Sequence, residues 1–136
     1  MLDAVIFNIL IGNNDAHGKN FSFLYAAEGS TLAPLYDLSS TVAYPALSTS
    51  MAMKIGGTDK FEDLRLLHWE QFAKDTGLGP AQVRRRLVHL AHSSPEAARK
   101  VRGELAPAKN DTPILDGIVS TIEGRATKLV RLTADP

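Results

Sequence analysis

The chain has no cysteine among its 136 residues. That removes disulfides, thiolate nucleophiles and cysteine-based zinc sites, and it suits a reducing cytoplasm. Net charge is also missing. Fifteen Lys and Arg balance fifteen Asp and Glu, so composition supplies no bulk attraction to nucleic acid or to an anionic membrane. Long apolar runs are lacking as well. The most apolar stretch, residues 2–11, is interrupted by Asp3 and Asn8 and is too short to span a bilayer. It has no basic segment before it and runs straight into Asn13-Asn14-Asp15, unlike a signal peptide. No internal repeat is visible. What remains is 44% hydrophobic and 22% charged, a globular composition of one-domain size, residues 1–136, with room for one modest core.

Leu2, Val5, Ile6, Ile9 and Leu10 recur at helical spacing, and Gly12 with Asn13 stops that helix. It starts abruptly at Met1 with no capping residue before it, as though continued from something upstream. Aromatic-rich residues 21–25 and 31–36 flank a Gly-containing loop and predict a β-hairpin, its second strand limited by Pro34. Residues 37–58, rich in Ser, Thr, Gly and Pro, have no clear period and read as one long loop. Helical pattern fills about 60–133. One helix ends at Gly77, a second restarts at Gly79-Pro80, a third short one begins at Pro95, and Asp111-Thr112-Pro113 caps the last. In that last helix Leu115, Ile118, Val119, Ile122, Ala126, Leu129 and Val130 form an apolar stripe, read as core.

The polar density falls elsewhere. Asn13-Asn14-Asp15-Ala16-His17-Gly18-Lys19-Asn20 joins a buried helix to a hairpin, a place where a loop presents side chains instead of packing them. Four residues separate Asp15 from Asn20. Protein-kinase catalytic loops use this separation between the Asp that accepts the substrate hydroxyl proton and an Asn that binds magnesium. A second acidic ligand is then expected beyond a hairpin, and Tyr36-Asp37-Leu38-Ser39-Ser40 follows the predicted one. Asp and Asn oxygens with ATP phosphates make a sufficient set for magnesium.

The run Leu10-Ile11-Gly12-Asn13-Asn14-Asp15-Ala16-His17-Gly18-Lys19-Asn20-Phe21-Ser22 resembles the catalytic loop of the HipA family, the toxin kinases of bacterial toxin–antitoxin pairs. Leu32-Ala33-Pro34-Leu35-Tyr36-Asp37-Leu38 is similar to that family's metal loop, and His68-Trp69-Glu70-Gln71-Phe72-Ala73 fits its helical lobe. The resemblance implies a mainly α fold with a small β-hairpin, the C-terminal lobe of a protein-kinase-like fold. It implies Asp15 as catalytic base and Asn20 and Asp37 as magnesium ligands. His17, Gly18, Lys19 and Tyr36 are placed with them around the phosphates of ATP. It further implies a serine/threonine kinase whose protein substrate is a translation factor or an aminoacyl-tRNA synthetase. The implied partner is a HipB-like helix-turn-helix antitoxin, through which alone DNA is met, with no membrane involved.

Two departures from eukaryotic kinases are compatible with HipA-like proteins: His17 stands where those have Lys, and Leu38-Ser39 follows Asp37. A larger one is that no Gly-rich phosphate loop and no paired Lys and Glu precede Asp15, and Gly56-Gly57 comes too late to replace them. The expectation is therefore a chain without the nucleotide-clamping lobe and inactive alone, with the faces of helix 2–11 and the hairpin uncovered. The alternative is a non-catalytic module that binds an antitoxin or a separate N-lobe chain. Blander readings exist for single residues. Asp37 alone would be a turn residue and His17 alone a surface histidine. His89 and His92 lie one turn apart without a third metal ligand nearby, and Arg84-Arg85-Arg86 spreads around a helix and makes no basic face. The joint spacing of Asp15, Asn20 and Asp37 is what favours kinase chemistry.

Overall fold

The computed structural model describes residues 1–106 and 113–134. Helix α1 (Leu2–Ile11) is central, with seven of its ten residues buried. Ile6 and Leu10 are fully enclosed and pack with Trp69, Leu87 and Leu129 from three later helices. Burying side chains of this size contributes roughly 1.5–3 kcal/mol each, so α1 is the post around which the fold is wound. This overturns one expectation: most of α1 is covered by the chain's own helices. Gly12 ends it in the left-handed conformation, φ 75°.

Strands β1 (Phe23–Ala26) and β2 (Gly29–Leu32) form an antiparallel hairpin with Ala26 opposite Gly29. The turn is thus only Ala27-Glu28, tighter than the sequence pattern suggested, and Pro34 falls beyond the strand. A second hairpin, β3 (Ser50–Ile55) and β4 (Thr58–Lys60), occupies what read as loop. Gly56 and Gly57, at φ 53° and 95°, make its turn, as two-residue hairpin turns require. A Cβ on Gly56 would lie 2.0 Å from the His68 carbonyl oxygen, so the turn also has to slide under the next helix. Met51 and Ile55 plant β3 in the core.

Helix α2 (Leu66–Thr76) ends at Gly77, and α3 begins at Pro80, both as expected. Unexpectedly, α3 runs unbroken from Pro80 to Leu105, with Pro95 inside it. An interior proline costs about 3 kcal/mol. The offset comes from α4 (Pro113–Ala134), which lies along α3. Val83, Leu87 and Ala91 are buried before the proline. After it Arg99 binds Glu123 at 2.5 Å and Arg102 binds Asp116 at 2.8 Å. The proposed cap at Asp111 and Thr112 lies outside the described residues.

The apolar stripe of α4 is core only in its second half. Ile122, Ala126 and Leu129 are buried. Leu115, Ile118 and Val119 instead line an apolar cleft of about 390 Å³ shared with Phe7 and Ile11 of α1. A residue that hydropathy would exclude is also buried in this helix. Arg125 donates to the Ile9 carbonyl at 2.7 Å and lies 4.2 Å over the Phe61 ring. Burial lowers its pKa. It thereby adds a charged second donor to a last-turn carbonyl of α1 that already accepts the Gly12 N–H at 3.2 Å.

Candidate active site

Where α1 stops, the chain is clasped from the side. The Gly12 carbonyl accepts from Thr41 Oγ1 at 3.1 Å and from the Val42 N–H at 3.2 Å. A Cβ on Gly12 would stand 2.3 Å from Val42 Cγ2, so only glycine permits both the turn and the approach. The Asn14 N–H donates to the same Thr41 hydroxyl at 2.8 Å. Residues 13–20 and 36–41 are held together by these bonds.

Polar side chains extend the clasp. Asn8, buried in an otherwise apolar helix, anchors its amide on the Ala4 carbonyl and accepts from Asn13 Nδ2 at 2.8 Å. The same Asn13 nitrogen donates to the backbone carbonyl of Asp37 at 2.9 Å. Asn13 Oδ1 accepts the Asp15 N–H at 3.2 Å. One side chain thus ties the backbones of Asp15 and Asp37. Nothing in the residue pattern had singled out Asn8. Its clue is a buried-type amide in an apolar run, which must find partners.

Asn20 then reaches across. Its Nδ2 donates to Asp37 Oδ2 at 2.6 Å, while its Oδ1 accepts the His17 N–H at 2.9 Å. Asp37 has φ 56°, the one non-glycine left-handed residue among those described, and such conformations cluster at functional sites. Tyr36 is pinned beside it, donating its hydroxyl to the Lys19 carbonyl at 2.6 Å, with Ser22 Oγ 2.9 Å away. Gly18 opens the short 3₁₀ turn Gly18–Asn20 and, like Lys19, is exposed. The arrangement brings Asn20, Tyr36, Asp37 and the backbone of Lys19 to one spot. The exposed Asp15 borders an open cavity with Met51 and Ala52 that neither Asn20 nor Asp37 lines.

Four buried side-chain polar atoms have no partner among the described residues, and three of them, Asn14 Oδ1, His17 Nδ1 and Ser40 Oγ, belong to these two loops. Each unmet group costs about 1–3 kcal/mol. Such a cluster marks a place shaped by something besides stability. The apolar cleft against α4, by contrast, is lined by none of Asp15, Asn20 or Asp37.

The donor set fits magnesium. Asp37 and Asn20 offer hard oxygens, and Asn20 Oδ1 keeps a lone pair beyond its bond to His17. No group of three His, Cys, Asp or Glu that could hold a metal occurs among the described residues. Magnesium is usually held by one or two protein oxygens together with phosphates and water.

The family of HipA-like C-terminal domains matches residues 1–98. The chain belongs to that family. It is 47% identical over 133 residues to "Putative kinase Y4mE" of Sinorhizobium fredii, covering 98% of this chain and 31% of that one. To the serine/threonine-protein kinase toxin HipA of Shewanella oneidensis it is 34% identical over 113 residues, covering 82% of this chain and 26% of that one. It also superposes on a chain of the solved complex of Shewanella oneidensis MR-1 HipA, HipB and operator DNA. There the TM-score is 0.82 at 24% identity, covering 98% of this chain and 32% of that one. The chain thus spans under a third of the length of these relatives, and its fold is the HipA-like C-terminal kinase portion. The mainly helical fold class expected from the sequence holds, with a second hairpin added.

Proposed function

We propose that this chain is the C-terminal part of an ATP- and magnesium-dependent serine/threonine protein kinase, with Asp15 as catalytic base and Asn20 and Asp37 as the metal ligands. The observation that carries the reading is the 2.6 Å contact between Asn20 and a left-handed Asp37, on a frame that also holds Asp15. Asp15 accepts the proton of a Ser or Thr hydroxyl. The acceptor oxygen bonds to the γ-phosphorus as the bond from that phosphorus to the bridging oxygen breaks, and ADP leaves. Asn20 and Asp37 would hold magnesium, which when bound would neutralise phosphate charge. His17, Gly18, Lys19 and Tyr36 border the phosphates. The chain alone is inactive in this reading, since none of its segments provides a phosphate-cradling glycine loop.

The relatives' names extend the proposal to a toxin kinase with a HipB-like antitoxin as partner and DNA met only through it. A cytoplasmic site of action on a translation factor or aminoacyl-tRNA synthetase rests on the family resemblance alone. A second reading is a non-catalytic interaction module. It is favoured by the bare β1–β2 hairpin, where Phe23, Leu24 and Tyr25 are 50%, 56% and 87% exposed. Single-turnover phosphoryl transfer by a full-length protein carrying this segment tests the choice. Asp15→Asn is expected to lower the rate roughly 10²–10⁴-fold, and Asp37→Asn to raise the magnesium requirement. Absence of transfer by the unaltered protein would leave the interaction reading standing, and undiminished transfer by both variants would remove the roles assigned to Asp15 and Asp37.

A further inference from the structure

The cavity beside Asp15 is larger than a proton acceptor needs. It holds about 480 Å³ and is walled by Asn14, Asp15, Leu47, Ser48, Met51 and Ala52. Asn14 is one of its lining residues. Its N–H is spent on Thr41 Oγ1, its carbonyl accepts the Ala52 N–H at 2.7 Å, and its Nδ2 donates to the Ser48 carbonyl at 3.2 Å. That last bond fixes which way the amide points. Its Oδ1 is left buried and without a partner, on a residue only 5% exposed. A side chain so completely committed, with one acceptor unmet, leaves a place for a donor from elsewhere.

The walls narrow the identity of that donor. The one formal charge is the Asp15 carboxylate, which disfavours an anionic metabolite. Leu47, Met51 and Ala52 are apolar, while the Ser48 and Ser50 hydroxyls can exchange hydrogen bonds with a neutral backbone. Exposed apolar surface continues past the cavity through Tyr44 and Leu47, 53% and 50% exposed. A small alcohol would leave that rim empty, whereas a polypeptide passing through would cover it.

We propose that this cavity is the docking subsite for the acceptor polypeptide: a neutral segment in which a short aliphatic residue adjoins the phospho-accepting Ser or Thr. A backbone N–H of that segment donates to Asn14 Oδ1, and the aliphatic side chain rests on Leu47 and Met51. This rests on the kinase reading for the role of Asp15. Docking itself needs neither nucleotide nor metal.

The purified 136-residue chain, isotope-labelled, is titrated with three probes and followed by amide chemical shifts. They are a neutral heptapeptide with central Ser flanked by Val, the same peptide with Trp in place of Val, and serinol as a small alcohol. Saturable shifts at residues 48–52 and at the Asn14 side-chain amide are expected with the Val peptide. The Trp peptide is expected to bind at least about tenfold more weakly, as a filled pocket discriminates by side-chain size. Ala52→Trp, at an exposed position, fills the cavity and is expected to abolish the shifts. Leu47→Ala opens the wall and is expected to narrow the gap between the two peptides, an effect that mere loss of stability does not produce. The proposal is overturned by an absence of shifts at these residues with either peptide, by equal shifts with serinol, or by full binding to Ala52→Trp. Peptide docking here without phosphoryl transfer in the full-length protein would sink the kinase reading and leave the docking site. Transfer to the Val peptide undisturbed by Ala52→Trp would do the reverse.

Discussion

Asn13 donates its side-chain amide to the backbone carbonyl of Asp37, 24 residues away, at 2.9 Å. The same nitrogen donates to Asn8 Oδ1, and the amide oxygen accepts the Asp15 N–H. Because all three contacts converge on one 5%-exposed side chain, the two loops form a single unit joined to the core helix. Removing the hub leaves the Asn8 amide oxygen and the Asp15 N–H without partners.

Asn13→Ala is accordingly expected to destabilise the chain by about 1–3 kcal/mol, the range for buried polar groups left unpaired. Urea unfolding measures this. Native-state hydrogen exchange of the Asp15 amide is expected to accelerate together with the amides of residues 36–42. Acceleration confined to Asp15 would mean that Asn13 serves only its own turn.

Two glycines with nearly equal backbone angles separate strain from crowding. Gly12 and Gly77 have φ 75° and 68°. A Cβ at Gly77 meets nothing within 4 Å, but at Gly12 it meets Val42 Cγ2 at 2.3 Å. Gly77→Ala is expected to cost only the left-handed penalty, about 1–2 kcal/mol. Gly12→Ala adds a clash at the clasp between α1 and Thr41–Ala43, and is expected to cost roughly 1–3 kcal/mol more, the range for overpacking. Equal losses in denaturant melts would show that Val42 yields freely.

Acid is expected to loosen the seam between α1 and α3. Asp3 binds Arg86 through both oxygens, at 2.7 and 2.8 Å. That hydrogen-bonded guanidinium holds the Asp3 pKa below its ordinary 3.8. A depressed carboxylate contributes stability that is complete above the unfolded value and fades as pH falls through the folded one. The pair is largely exposed, so its contribution is small and screened by salt. Thermal melts of Asp3→Asn are expected to lie slightly below those of the parent chain at pH 7. The two are expected to converge at the acid end, below about pH 4.

Much of this architecture is written in local pattern. Glycines at 12 and 77, the proline at 80 and the apolar spacing of residues 2–11 mark helix ends and faces by short-range rules, and the structure follows them. The meeting of Asn20 with Asp37 was also legible, since a hairpin between two polar loops must fold back. What escaped depends on distant partners. Pro95 looks like a start until α4 is there to hold both halves of α3. Met51 to Ile55 alternates weakly, and only burial of Met51 and Ile55 makes it a strand, although Gly56-Gly57 was a hairpin signal open to reading. Arg125 hides in an apolar stripe because its partners, Ile9 and Phe61, lie 116 and 64 positions away.

The bare hairpin leads to the last expectation. Strand β1 is exposed at every position and β2 at three of its four, and two-stranded hairpins are marginal in water without a covering layer. Phe23, Leu24 and Tyr25 therefore present apolar surface next to the Asn20–Asp37 site, whereas most of α1 is covered. The chain alone is expected to fold and to self-associate through this hairpin, as exposed apolar patches do. Leu24→Asp, at a 56%-exposed site, is expected to shift it toward monomer in sedimentation velocity without changing its helical signal. Calorimetric titration of that monomer with magnesium and ATP is expected to show no binding. Two ligand oxygens without a phosphate-cradling loop leave the triphosphate in water. Tight binding would mean that these 136 residues build a whole nucleotide site, and the proposed inactivity of the chain alone would fail.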